Sequence, residues 1–398
     1  MNGSTQALSA VGISTPAHTA TRAAAVPWYC VAVVLGAACV PVGVLWDISW
    51  HLTIGRDTFW TPAHMLIYLG GALPGCVCGW IALKSTFWPD PNNQIPTVHL
   101  WGFRAPLGAW VVIWGAFAML TSGPFDNWWH NAYGLDVKIV SPPHTILALG
   151  TYDVAIGGLL LVLSWQNRAP EERFSGITVL VLISFGTLLT KVSVFTTEYT
   201  YPNQQHTALF YQVVCLTFPL WLIAAARAAR IRWAATVTAI IYTVVTLGMI
   251  WVLPLFPGHP KLGPIYNPLT HMVPPPFPLL LIVPALAIDL VMLWFGRRHS
   301  FWTDTLLAAG IAVVFFLLLL AVQWPFAKFL LSPASRNAFF AGNAMWGYGS
   351  GFGHWRFDFW DVEKNPLTVT GAAIACVFAF VQARMALWIG DWFSRVQR

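Results

Sequence analysis

Residues 46–64 read WDISWHLTIGRDTFWTPAH and lie between two apolar runs, 28–46 and 62–84. Each run is long enough to cross the hydrocarbon core of a bilayer, which takes about 20 residues. Asp47, His51, Arg56, Asp57 and His64 therefore sit at or near a membrane surface. A charged group at the bilayer centre costs roughly 2.5–3.5 kcal/mol, so such residues normally carry a partner or a task.

Working outward, the composition sets the class. Charged residues are 9% of the 398 and hydrophobic ones 57%, whereas soluble domains carry about 25% charged residues. Ten apolar runs can be marked, at 28–46, 62–84, 104–122, 142–164, 175–195, 207–229, 233–255, 275–296, 303–325 and 367–390. Lipid-embedded backbone must satisfy its own hydrogen bonds, so these runs predict an all-α polytopic membrane bundle of about ten helices. Residues 1–27 are rich in Ser, Thr and Ala with no charge before Arg22, an order opposite to that of a signal peptide. They predict a disordered cytoplasmic tail before an uncleaved first helix.

The net charge of +6 is a topology signal and not a nucleic-acid one. With the N-terminus inside, thirteen Lys and Arg fall in inner segments and eight in outer ones, Lys191 being counted among the outer. The compact clusters RAARIR (227–232) and GRRHS (296–300) are inner, as the positive-inside rule requires. Both termini are then cytoplasmic, and 46–64 faces the outside of an inner membrane. The six cysteines all fall within apolar runs, where Cys acts as a small hydrophobe; no disulfide framework or thiolate metal site is expected.

A second stretch, FDNWWHNAYGLDVKIVSPPH (125–144), repeats the first. Asp47, Trp50 and His51 match Asp126, Trp129 and His130, and Gly55 and Asp57 match Gly134 and Asp136, the two loop acids being candidate second-sphere or additional site residues. After one inserted residue, Thr61-Pro62-x-His64 matches Ser141-Pro142-x-His144. The unit is a helix, D-x3-H, an outer loop, [ST]-P-x-H and a returning helix, spanning 28–84 and 104–164. Asp and His four apart share a helical face if the first helix continues through the motif. Thr61 or Ser141 can cap the returning helix, with the following Pro suited to its first turn. Each hairpin then brings one carboxylate and two imidazoles together. In a single copy, Asp and His could simply bond each other at a wet helix end. The repetition points instead to metal ligation, where zinc, copper and non-haem iron all accept this donor set.

The pattern WH-x4-RDT-x2-TP-x-H (50–64), behind Asp47, resembles the C subunit of the copper membrane monooxygenases, the particulate methane and ammonia monooxygenase family. That subunit carries D-x3-H-x12-H followed by N-x3-H-x13-H. Asp47, His51 and His64 have the first spacing; Asp126, His130 and His144 have the second, with Asp where the family commonly has Asn. The resemblance covers roughly 28–230 and implies copper at the first triad, a second metal (copper, zinc or iron) at the other, and partners akin to the family's A and B subunits. It does not extend to the four-helix region 231–398.

Elsewhere the signals are weaker. His206 and Glu198 (198–206), His259 and His271 (256–278), and His354 with Asp358 (353–365) lie in outer connections, where solvated or interfacial hydrogen bonding is the simpler account. His354-x3-Asp358 is a candidate additional site. Asp153 stands in the fourth run, nine residues after His144, as a candidate second-sphere partner or proton relay; Asp289 in the eighth run reads as a structural hydrogen bond between helices or as a functional acid. Tryptophans near the outer ends suit an interfacial belt. The expectation is a membrane copper protein that oxidises a small apolar substrate with O2, with Asp47, His51 and His64 at the reacting metal. The alternatives are a copper-binding or delivery protein served by a periplasmic copper partner, and a non-haem iron oxidase.

Overall fold

A computed structural model describes residues 26–90, 96–134, 141–169, 176–296, 300–342, 344–350 and 365–398. Asp136, His354 and Asp358 lie outside the described residues. The chain is an all-α polytopic membrane bundle. Nine described helices are long and apolar enough to cross a membrane: α1 (Trp28–Thr53), α2 (Pro62–Phe87), α3 (Leu107–Tyr133), α4 (Pro142–Arg168), α5 (Gly176–Phe195), α7 (Ala208–Ala228), α8 (Ala234–Val252), α10 (Phe301–Leu330) and α11 (Val369–Phe393). A single turn, α6 (Thr197–Thr200), and a shorter apolar helix, α9 (Ile282–Phe295), complete the helical set. Between α2 and α3 lies a small hairpin, β1 (Val98–Leu100) against β2 (Phe103–Ala105), turning through Trp101 and Gly102 at positive φ.

The duplication is visible in the packing. α1 and α2 form one antiparallel hairpin, and α3 and α4 form another against it. A side chain at Gly70 would meet the Gly36 carbonyl and the Val40 amide; one at Gly150 would meet the Gly115 carbonyl and the Met119 amide. Gly36, Val40 and Gly70 sit at the same distances from Asp47 and His64 as Gly115, Met119 and Gly150 do from Asp126 and His144. Small residues at these crossings let two backbones approach closely, which is what drives helix pairing in lipid. Without that approach the ligand-bearing ends would not meet.

α5 is the most buried of the nine spans and packs against α1, α4, α7 and α8. One hydrophobic core runs from Cys30 to Val396 and joins helices before and after residue 230. α7 lies along α11, tied by Arg227, which donates to Asp391 (2.6 Å) and Asp304 (3.3 Å). Lys191, counted above as an outer charge, belongs to α5 and is fully buried with Nζ 4.9 Å over the Tyr152 ring. Among the described residues its Nζ has no hydrogen-bond partner.

The eighth apolar run departs from expectation. Only Ile282–Phe295 is helical, and 273–281 is non-helical though largely buried. Pro274, Pro275, Pro276 and Pro278 cannot donate into a helix, their rings clash with the preceding turn, and each disfavours helical backbone at the residue before it. Non-helical backbone at this depth survives only where protein satisfies it. Val273 N–H donates to Thr53 Oγ1 (2.8 Å), Leu279 N–H to the Tyr242 hydroxyl (2.9 Å) and Leu280 N–H to Gln323 Oε1 (2.9 Å). Asp289 is the structural bond between helices: its carboxylate accepts from the amides of Ala235 and Thr236 and from the Thr236 hydroxyl, capping α8.

Candidate metal centre

α1 runs on through the first motif to Thr53, and α3 runs through the second to Tyr133. Asp47 and His51 thus occupy the last two turns of α1 on one face. Gly55 and Gly134 then reverse the chain at φ +83° and +86°, a conformation open to glycine at little cost. Pro62 and Pro142 start α2 and α4, leaving His64 and His144 in the opening turns. Ser141 caps α4 by accepting from the His144 amide at 3.4 Å. Thr61 does not cap α2, because its hydroxyl accepts the Thr58 amide (2.8 Å) while its own amide donates to the Thr58 carbonyl (3.0 Å).

That tight 58–61 turn orients a ligand. It turns the Thr58 carbonyl toward His64 Nδ1 at 2.9 Å. With the Nδ1 proton committed there, Nε2 presents a lone pair to the cluster, the usual way a metal-ligating histidine is fixed. Asp47 Oδ1 stands 3.1 Å from His64 Nε2, and Asp47 Oδ2 3.8 Å from His51 Nε2. Asp47 Oδ1 is buried without a donor of its own. Two facing lone pairs at this separation repel unless a proton or a metal ion lies between them. One donor atom each from Asp47, His51 and His64 fall within 4.8 Å of one another.

Asp57 completes the cluster. The loop folds its carboxylate back to 3.5 Å from His51 Nε2 and 3.4 Å from His64 Nε2. The hydrogen bond with His51 holds its carboxyl below the usual carboxylate range. The first site therefore has two imidazoles and two carboxylates, a hard N/O set that suits an oxidised copper, zinc or iron(II).

The second site repeats the arrangement more loosely. Asp126 Oδ2 is 3.4 Å from His130 Nε2, and Oδ1 is 3.6 Å from His144 Nε2. His130 Nδ1 is anchored by the Gly134 carbonyl at 3.1 Å. Asp126 Oδ1, like Asp47 Oδ1, is buried with no donor. Asp153 lies nine residues along α4 from His144, about 13.5 Å of helix rise away. Its charged neighbour is Lys191 on α5.

Sequence spacing did not single out Tyr68. It follows His64 by one helical turn, packs on Phe59 (4.9 Å between ring centres) and on His64 (6.1 Å), and feels the charges of Asp47, Asp57 and Asp126. It thus stands between the two clusters. The only sequence clue is that the repeat has Ala148 at the matching position. Three other described histidines have local partners: His206 Nε2 donates to the Trp324 carbonyl (3.0 Å), His259 Nδ1 to the Leu269 carbonyl (3.3 Å), and His271 pairs with Thr270 (2.9 Å). Comparison of the chain with protein-family models, curated proteins and solved structures found no match.

Proposed function

We propose that the chain is a membrane copper protein akin to the copper monooxygenase C subunit, acting on a small apolar substrate with O2. The observation that supports this best is the convergence of Asp47, His51 and His64, with His64 Nε2 freed by the Thr58 carbonyl, and its repetition at Asp126, His130 and His144. Copper, when bound, would supply the O2 chemistry. The protein's part is to hold the donors: α1 and α2 set the imidazoles, Asp47 and Asp57 balance the ion's charge, and Phe59 and Tyr68 give the first site an aromatic wall. Asp153 on α4, with Lys191 of α5 as its charged neighbour, is the proton relay for the second site. The clusters face the periplasm of an inner membrane, where A- and B-like subunits or a periplasmic copper protein can reach them.

A second reading, copper binding or delivery without turnover, is favoured by access: the side chains of His51 and His144 are 47% and 37% exposed. A non-haem iron oxidase uses the same donor types. Metal analysis of the purified protein separates these. Wild type should carry copper, and His51→Ala should lose about one equivalent, as expected for a site whose ligands are few and indispensable. His130→Ala should lose less, because the second site is the more labile. Iron in place of copper would sink the leading reading, and equal losses would sink the ranking.

A further inference from the structure

The hairpin between α2 and α3 turns through Trp101 at φ +50° and Gly102 at φ +85°. Positive φ at both central residues is the pattern of a type I′ turn, whose first position normally holds Asn, Asp or Gly. A bulky residue in left-handed backbone is an outlier, kept where its side chain has a use. The Trp101 side chain is 73% exposed, so the body of the protein covers little of it.

The hairpin is held from both sides. The Arg104 amide donates to Thr86 Oγ1 at the end of α2 (2.8 Å), and Trp110 Nε1 of α3 donates to the Val98 carbonyl (3.2 Å). The tip lies against α3, where Trp101 meets Trp114 edge to face at 5.3 Å. Trp114 is seven residues into this membrane-spanning helix, about 10 Å of rise from its start. It is itself 43% exposed, on a face that lipid covers. The Trp101 indole accordingly sits where headgroups meet acyl chains, the depth at which Trp is enriched. A water-soluble partner could not reach it there.

The other face of the hairpin is basic. In the antiparallel register His99 stands opposite Arg104, so both side chains leave one face, and both are exposed. Val98 and Ala105, paired one step along, take the opposite face, with Ala105 fully buried. Among the described residues neither His99 nor Arg104 carries a side-chain hydrogen bond or ion pair. Asp90, the one acid of the connection, pairs with neither. A guanidinium at headgroup level offers its planar fork of N–H donors to a phosphate. A zwitterionic headgroup brings its own cation against the same positive face, whereas an anionic one does not. We propose that this hairpin is a docking surface for the headgroup of an anionic phospholipid, with Arg104 and His99 on the phosphate and Trp101 anchored at the headgroup base. The surface is independent of the metal clusters, which lie at the other end of the bundle.

The test uses the full-length protein in mixed micelles holding equal amounts of phosphatidylglycerol and phosphatidylcholine, with retained lipids counted by native mass spectrometry. Wild type should hold phosphatidylglycerol in preference. Arg104→Gln should weaken the tightest phosphatidylglycerol binding about fivefold, the share of one cation near a membrane surface, and Arg104→Lys should keep most of it. The Arg104 amide and not its side chain ties the hairpin to α2, so these variants keep the fold. Trp101→Asn, which suits the turn, should weaken both lipids alike because the ring carries no charge. Lys261→Gln, at the cluster end, should change nothing. Equal retention of the two lipids by the wild type, or a loss in Arg104→Gln no greater than in Lys261→Gln, would overturn the proposal. So would phosphatidylglycerol binding untouched by Trp101→Asn.

Discussion

Gly55 and Gly134 hold the same place in the two copies and share a positive φ, but their surroundings differ. A side chain at Gly55 would overlap the Tyr348 hydroxyl, whereas among the described residues nothing lies within 4 Å of one at Gly134. Left-handed backbone costs a non-glycine residue roughly 1–2 kcal/mol, so Gly134→Ala should lose about that much stability. Gly55→Ala should lose about 1–3 kcal/mol more from overpacking. Tyr348→Ala should restore the excess in the Gly55 variant and do nothing for the Gly134 variant, which a double-mutant cycle by thermal unfolding would measure. An equal cost at both positions would show that Tyr348 does not press on the first site. The glycines were legible as a matched pair because both follow D-x3-H at a fixed distance. Asp57 was legible as a candidate beside the first triad, though not its reach to both imidazoles, and Tyr68 was not legible: how a loop folds back, and which face of α2 meets α3, depend on packing that spacing alone does not encode.

At the scale of elements, the ligand triads depend on helix crossings far from them. Gly150 faces the Gly115 carbonyl and the Met119 amide, so any larger residue must push α4 off α3. Gly150→Val should splay the second hairpin, at about 1–3 kcal/mol, and lower metal bound there while leaving the Asp47 cluster loaded. Gly70→Val should do the converse. Metal content of the two variants, each combined with His130→Ala or His51→Ala to silence one site, checks this; a uniform loss in both would mean that the hairpins do not act as separate units. The repeat itself was readable because ligand spacing survives in sequence, and the helices were readable because apolar length is counted directly. The unwound 273–281 segment was hidden by the same count. Apolarity has no period there, and the partners that satisfy its amides, Thr53, Tyr242 and Gln323, lie far away in sequence.

Across the whole molecule, basic residues are distributed by end. Among the described residues, Lys84, Arg104, Arg168, Arg227, Arg230, Arg232, Arg395 and Arg398 lie at the end opposite the metal clusters, and Arg384 in α11 reaches that way over the Phe301 ring (5.3 Å). Arg56, Lys261, Lys328 and Arg336 lie at the cluster end. Lys191, buried in α5, belongs to neither surface and drops out of the count. Its removal strengthens the bias, because insertion follows Lys and Arg near the helix ends and not those enclosed by protein. The opposite end is also pinned electrostatically, Arg227 joining α7 to α10 and α11 through Asp304 and Asp391. The orientation we propose on this basis would keep the basic end in the cytoplasm and open both clusters to the far side of the membrane. A reporter fused after residue 57 should therefore be active outside, and one fused after residue 230 should be active inside. A cytoplasmic signal at 57 would turn the clusters toward the wrong compartment and remove periplasmic copper as their supply.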